Sequence, residues 1–243
     1  MTGAAPARAA VADLRQYTLK PGCRDALIDL FDRYFVDGQE DVGIHIVGQF
    51  RDLDDPDRFV WLRGFDSLDA RAVSLPEFYY GPVWRAHRDH ANETMLDSDN
   101  ALLLKPLRLG AAYPSFDTPR TEAGAADSVV AITVYYRDRP IDEPLRELVS
   151  EQLLPALTAE GSEPVAAFVT EPSENNFSPL PLRDEHVIVW INRFDNDDDH
   201  AIFASRLARS TVWRDRVLPA LEQTAKLELQ QLRLRPTLRS HLR

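Results

Sequence analysis

Phe59-Val60-Trp61-Leu62-Arg63-Gly64-Phe65, then Asp66-Ser67, then Phe78-Tyr79-Tyr80-Gly81-Pro82-Val83-Trp84 is the stretch on which the reading of this chain turns. Trp190-Ile191-Asn192-Arg193-Phe194-Asp195 repeats its start at an offset of 129, and Trp84-Arg85 and Trp213-Arg214 each begin nineteen residues after the phenylalanine. A repeat that keeps its register marks two structural units built on one plan. At 243 residues the chain divides naturally into two such units.

Working outward from Trp61, Ile44 to Phe50 and Arg58 to Phe65 read as two strands joined by the short turn Asp52-Leu53-Asp54-Asp55-Pro56-Asp57, an antiparallel hairpin. Alternation in the first of these puts Ile44, Ile46, Gly48 and Phe50 on one face and His45, Val47, Gln49 and Arg51 on the other. Before the hairpin come a strand from Leu14 to Leu19 and a helix whose stripe is Leu27, Leu30, Phe31, Tyr34 and Phe35, with Gly38 as its expected stop. After it, Asp66 or Ser67 caps a helix that Pro76 should interrupt, helix resumes at Pro82, and Ala101 to Leu107 is a fourth strand. The order strand, helix, strand, strand, helix, strand is that of a ferredoxin-like unit. In the second half strands are expected over Val129–Tyr136, Val165–Val169, His186–Phe194 and Leu227–Arg235, with helices over Pro144–Leu157 and His200–Thr224. The expected organisation is therefore a disordered tail (1–12), a first unit (13–109), a Pro- and Gly-rich linker (110–127) and a divergent second unit (128–243). Eleven extra residues fall in the second hairpin loop, Thr170 to Glu185, as either a lid or interface arm or a plain surface insertion.

Composition excludes several function classes. A formal net charge of −11 argues against nucleic-acid and anionic-membrane partners. One cysteine, Cys23, rules out an intrachain disulfide and a multi-cysteine metal site. No apolar run reaches the roughly 18 residues of a membrane span, and the Ala-rich start lacks a signal peptide's apolar core, so a cytoplasmic protein is expected. There is no phosphate-cradling loop, dinucleotide fingerprint or nucleophile elbow. Asp195-Asn196-Asp197-Asp198-Asp199 starts like a calcium loop, but His200 and Arg206 stand where Gly and Glu are needed; it reads as a helix cap.

Five blocks in order, Tyr17-Thr18-Leu19-Lys20-Pro21-Gly22, Phe50 to Pro56, Arg58 to Phe65, Trp84-x-x-His87-Arg88-x-x-Ala91-Asn92 and Ser98-Asp99-Asn100, resemble the NIPSNAP family over about residues 14 to 106. The second half resembles it more loosely, with Asn192 in place of Arg63 and Arg216 in place of His87. The resemblance implies an α+β fold of the dimeric α+β barrel type, two four-stranded sheets with helices outside, closed within the chain or between chains, and a homodimer or higher oligomer. It also implies a range of chemistries: cofactor-independent monooxygenases acting on polycyclic phenols, haem enzymes, isomerases and decarboxylases, beside non-catalytic binding proteins. Fold alone does not choose among them.

The residues themselves offer a candidate site in the first unit. Trp61 and Arg63 share a strand face, where Trp61 can stack an aromatic ligand and Arg63 can hold a carboxylate, phenolate or carbonyl. Core packing is the competing reading: burying a Trp contributes roughly 4–6 kcal/mol, and a buried Arg demands a partner of some kind. Tyr79 and Tyr80 lie at the helix break, Tyr17 on the first strand, and Trp84 and His87 on the following helix. His45 is a candidate general base. The expectation is a small apolar or aromatic ligand bound by Tyr17, His45, Trp61, Tyr80 and Trp84, with Arg63, His87 and Tyr79 as catalytic groups and no metal or organic cofactor. The alternatives are a non-catalytic partner-binding protein and a haem enzyme using His87.

Overall fold

A computed structural model of the chain describes residues 10–108, 127–224 and 229–243. The expected linker lies outside these residues but for Asp127, and so do residues 1–9 of the expected tail. Four strands come from each half: β1 (Val11–Leu19), β2 (His45–Asp52), β3 (Arg58–Phe65) and β4 (Met95–Pro106), then β5 (Val129–Arg137), β6 (Ala166–Thr170), β7 (His186–Phe194) and β8 (Gln230–Pro236). Between them run α1 (Arg24–Leu30), a π-turn Phe31–Phe35, α2 (Val36–Glu40), α3 (Leu68–Tyr79) and α4 (Pro82–Thr94) in the first half. The second half has α5 (Glu143–Leu148), a π-turn Val149–Leu153, α6 (Leu154–Ala159), α7 (Asp197–Arg209), a π-turn Trp213–Val217 and α8 (Leu218–Glu222).

The fold is mixed α+β, and its eight strands close into one antiparallel barrel within the chain in the order β1-β3-β2-β8-β5-β7-β6-β4. Each half contributes four consecutive strands, and two short seams join the halves: Phe50–Asp52 with Leu234–Pro236, and Leu104–Pro106 with Phe168–Thr170. Strand alternation sorts the apolar residues into three layers. Leu14, Val60, Leu62, Ile132, Val189, Leu232 and residues from the remaining strands fill the barrel. Phe59, Trp61 and Phe65 point outward against α1–α4 with Phe31, Phe35 and Phe78. Tyr135, Trp190 and Val169 point outward against the helices of the second half with Leu153, Trp213 and Leu221.

Several expectations are corrected. β1 begins at Val11, inside the segment read as a tail. Ile46 and Phe50 do not share a face, because a bulge at Val47–Gly48 shifts the pairing with β3. Val47 and Phe50 therefore turn into the barrel while Ile44 and Ile46 pack under the helices. The bulge requires glycine, since a Cβ on Gly48 would lie 2.2 Å from the Phe50 ring. Helix does not stop at Gly38; it continues to Glu40, with Gly38 allowing α4 to approach so that a Cβ would meet Val83 at 3.0 Å. Pro76 does not interrupt α3, which runs on to Tyr79, so the lost backbone bond falls in its last turn and the break follows at Tyr80–Gly81. The expected helix 200–224 starts earlier and is divided: Asn196 caps α7, whose C-cap Ser210 is extended (ψ 123°) and whose hydroxyl accepts from the Trp213 N–H at 3.4 Å. Ser67 caps α3 in the same way, its hydroxyl accepting from the Ala70 N–H at 3.0 Å, and 67 and 196 are again 129 apart.

Candidate functional site

The outer face of β1 and β3 carries charge as well as aromatic rings. Asp13, Arg15 and Tyr17 alternate on β1 and stand opposite Arg63, Trp61 and Phe59 on β3. Arg71 arrives from α3. Asp13, Arg15, Arg63 and Arg71 are all 0% exposed. Arg63 donates from Nε and Nη2 to one oxygen of Asp13 at 3.0 and 2.8 Å, and from Nη1 to Gln39 at 3.1 Å and the Tyr79 hydroxyl at 3.4 Å. Arg71 reaches the other Asp13 oxygen at 3.1 Å. Arg15 donates to the Tyr17 hydroxyl at 3.1 Å and to the Ser98 carbonyl at 3.0 Å. The Arg63 guanidinium also lies 4.8 Å from the Trp61 ring centre, within cation–π range.

Protonation follows from these contacts. Burial alone would raise the Asp13 pKa, but Arg63, Arg71 and Arg15 pull it below its ordinary value. Burial opposes the charge of Arg63, yet the oxygens of Tyr79, Asp13 and Tyr17 hold it above its usual range. Arg71 is pushed down, by burial first and by Arg63 and Arg15 against the pull of Asp13. Burial raises the Tyr17 phenol.

Of the residues singled out from the sequence, Tyr17, Trp61, Tyr79 and Trp84 come together around an internal cavity of about 20 Å³, with Arg63 stacked behind Trp61 and bonded to Tyr79. That is room for about one water molecule. The Trp61 indole nitrogen is buried without a hydrogen-bond partner among the described residues. His87 is not in this group; its ring stacks on Tyr34 with centres 3.8 Å apart. His45 lies at the start of β2, paired with Asp66 at 2.9 Å. Tyr80 is 56% exposed and sets its ring against Phe177. The long hairpin loop between β6 and β7 crosses onto this unit. Phe177, 5% exposed, stacks near Tyr79 at 5.8 Å, Arg71 donates to the side-chain oxygens of Asn175 and Asn176, and Asn176 donates to the Leu68 carbonyl at 2.7 Å.

The roomy space lies at the equivalent place in the second half, a cleft of about 500 Å³. At the offset of 129 Trp190, Asn192, His200, Leu207, Ala208 and Trp213, all on its wall, stand where the first half has Trp61, Arg63, Arg71, Phe78, Tyr79 and Trp84. Ala131 and Thr133 face Asn192 and Trp190 across β5 and β7, in the places of Asp13 and Arg15. Four of the ionic groups and one phenol are thus replaced by smaller side chains, and the cleft is the space they leave. Its apolar wall includes Leu157, Phe203 and Leu229, and its polar end is His200, Arg233 and Asp54. Asn192 donates to the Ser162 carbonyl and hydroxyl at 3.1 and 2.9 Å. Arg233 is held by Asp54 at 2.6 Å and lies 4.0 Å from Asp197, which also pairs with Arg235. Burial, with Arg233 adding to it, pushes the His200 pKa below 6.5, so its imidazole is neutral at pH 7.

The sequence reading missed Asp13, Arg15, Arg71 and this cleft. The alternation Asp13, Arg15, Tyr17 on a strand was a usable signal, because it places charge on the face that Trp61 and Arg63 share. Among the described residues no group of three His, Cys, Asp or Glu side chains is placed to hold a metal ion, and no helix is long and apolar enough to cross a membrane.

No curated protein matches the chain. A solved structure from Fusobacterium nucleatum subsp. nucleatum, assigned provisionally as a monooxygenase, is 8% identical with a TM-score of 0.59, covering 94% of this chain and 93% of that one. An anthrone oxidase-like protein is 10% identical with a TM-score of 0.56, covering 93% and 91%. A NIPSNAP-like domain protein from Burkholderia xenovorans is 21% identical with a TM-score of 0.40 and covers 46% of this chain and 97% of its own. At such identities the first two likenesses speak for the fold of the whole chain and for nothing finer. The sequence of residues 12–109 matches the NIPSNAP family model, the same span that carries the five blocks, the buried ion cluster and the aromatic cavity: the first half of this chain is a NIPSNAP domain.

Proposed function

We propose that the chain is a tandem of two ferredoxin-like units that binds a small, largely apolar or aromatic molecule in the cleft of the second unit. One observation carries this reading: about 500 Å³ of space at the position where the first unit is filled by Arg63, Arg71 and Tyr79. Its size falls within the range of ligand pockets, and its mix of an apolar wall with a few polar groups at one end is what such pockets show. Trp190 and Trp213 are flat surfaces for a ring, Thr133 and Gln231 offer hydrogen bonds, and the neutral His200 can accept a proton from a hydroxyl or an acidic C–H at the polar end. Such a protein would serve as a tailoring enzyme that uses the chain's own groups. An aromatic ligand accords with the anthrone oxidase-like neighbour.

The test is titration with 1-naphthol, followed by quenching of tryptophan fluorescence, in the wild type and in Ala208→Trp, which puts a large ring into the cleft. Saturable binding that weakens at least tenfold in the variant is expected. Equal binding in both proteins overturns the proposal.

A further inference from the structure

The buried cluster of the first unit does not balance its charge. Among the described residues Arg15, Arg63 and Arg71 are fully buried around a single buried carboxylate, Asp13, which leaves an excess of two positive charges there. Buried ions are expensive unless paired, so an uncompensated excess marks a place where a negative charge is welcome. No second carboxylate bonds to Arg71 among the described residues; neutral amide oxygens of Asn175 and Asn176 take that position. Arg15 keeps one guanidinium nitrogen buried with no hydrogen-bond partner among the described residues. The two amides are followed by a ring, Phe177, which is buried against Tyr79. The arm from the other half thus presents to this unit two carbonyl oxygens on an arginine and an aromatic ring on a tyrosine. It does so from a loop of some fifteen residues without helix or strand, a length at which loops in compact domains tend to be functional.

We propose that the first unit holds a second, latent ligand site for a small aromatic acid, and that the 171–185 arm occupies it here as an internal stand-in. In the ligand-bound state the arm is withdrawn, a carboxylate replaces the Asn175 and Asn176 oxygens on Arg71, and the ligand's ring replaces Phe177 beside Tyr79. The carboxylate also supplies negative charge that the amides cannot. Because the arm competes with the ligand, apparent affinity is reduced by the fraction of molecules in which the site is open. This site is distinct from the second unit's cleft and does not depend on it.

The probe is 3-phenylpropanoate, compared with the neutral 3-phenylpropan-1-ol, by fluorescence titration and calorimetry. Replacing Asn175, Asn176 and Phe177 together by Ala is expected to tighten binding of the acid at least tenfold over the wild type. The alcohol should bind at least tenfold more weakly than the acid, and the acid's affinity should be unchanged in an Ala208→Trp background. Near-UV circular dichroism checks that the variant keeps its packing. A folded triple variant that binds the acid no better than wild type overturns the proposal, as does equal binding of the alcohol or loss of binding in Ala208→Trp. Should the triple variant not fold, Asn176→Ala alone is expected to tighten binding about threefold, and no change there overturns it equally.

Discussion

Arg63 and Asn192 occupy equivalent places in the two halves, and around that pair the halves part company. In the first, three arginines, one aspartate and Tyr79 fill the layer between sheet and helices down to a space of about 20 Å³. In the second, Ala131, Thr133, Asn192, His200 and Ala208 leave about 500 Å³. The hairpin loops differ in the same sense. Each reaches across to the other half: the short β2–β3 turn brings Asp54 only to the edge of the second unit's cleft, whereas the long β6–β7 arm drives Phe177 into the first. One backbone plan therefore yields a closed site and an open one, and what decides is side-chain volume together with the length of a loop borrowed from the neighbour.

The most severe way to break the closed site is Asp13→Asn. It removes the carboxylate that three buried guanidiniums share and should cost about 3–5 kcal/mol in urea or guanidinium unfolding. The same pair of facts fixes a pH dependence. The folded Asp13 pKa lies below its unfolded value of 3.8, so its contribution is fully present above the ordinary carboxylate range and is lost as pH falls through the lower folded value. In Asp13→Asn the fall in stability on acidification below the ordinary carboxylate range should be shallower than in the wild type, and an equal fall would mean that another group carries the cluster's pH dependence.

Next in size is Phe177→Ala, about 3 kcal/mol by the usual cost of truncating a buried Phe, with Trp84 becoming more accessible to acrylamide. An unchanged stability would mean that the arm merely lies on the surface. Asn192→Ala, by contrast, loses two hydrogen bonds beside an open space and should cost only about 1–2 kcal/mol. A value as large as that of Asp13→Asn would erase the distinction between the halves. His200 sharpens the contrast without mutation. Its folded pKa lies below 6.5, so as pH falls below that value the unfolded chain takes up the proton first and stability declines. Titration of its ring protons by NMR should give a midpoint under 6.5, and a midpoint above it would refute the neutral imidazole. The smallest effect belongs to His45→Ala, whose partly exposed pairing with Asp66 predicts a change within about 1 kcal/mol.

Most of the architecture was legible because it rests on periodicity and on one repeat. The offset of 129 located Trp190 and Trp213, and His186–Phe194 appears as a strand with those bounds. The misplaced details depend on contacts distant in sequence. The Gly48 bulge follows from the way Phe50 turns into the barrel, and the continuation past Gly38 follows from contact with Val83. Tyr17, Trp61, Arg63 and Tyr79 do converge, but a sequence does not show volume, and the smaller residues of the second half read as loss when they are what makes room. Arg71 and Asn176 are 105 positions apart, and no local pattern joins them.

The two seams have a consequence for the chain as a whole. Each joins the halves through a short ladder of three residue pairs, at β2–β8 and at β4–β6. Strand edges of that kind attract any complementary edge in solution. Because the partner edge here belongs to the same molecule, its effective concentration is set by the intervening segment and not by how much protein is present. Barrel closure, and with it the reach of each hairpin loop into the opposite half, should therefore be independent of dilution, and a self-paired barrel of two identical halves could not combine a closed site with an open one.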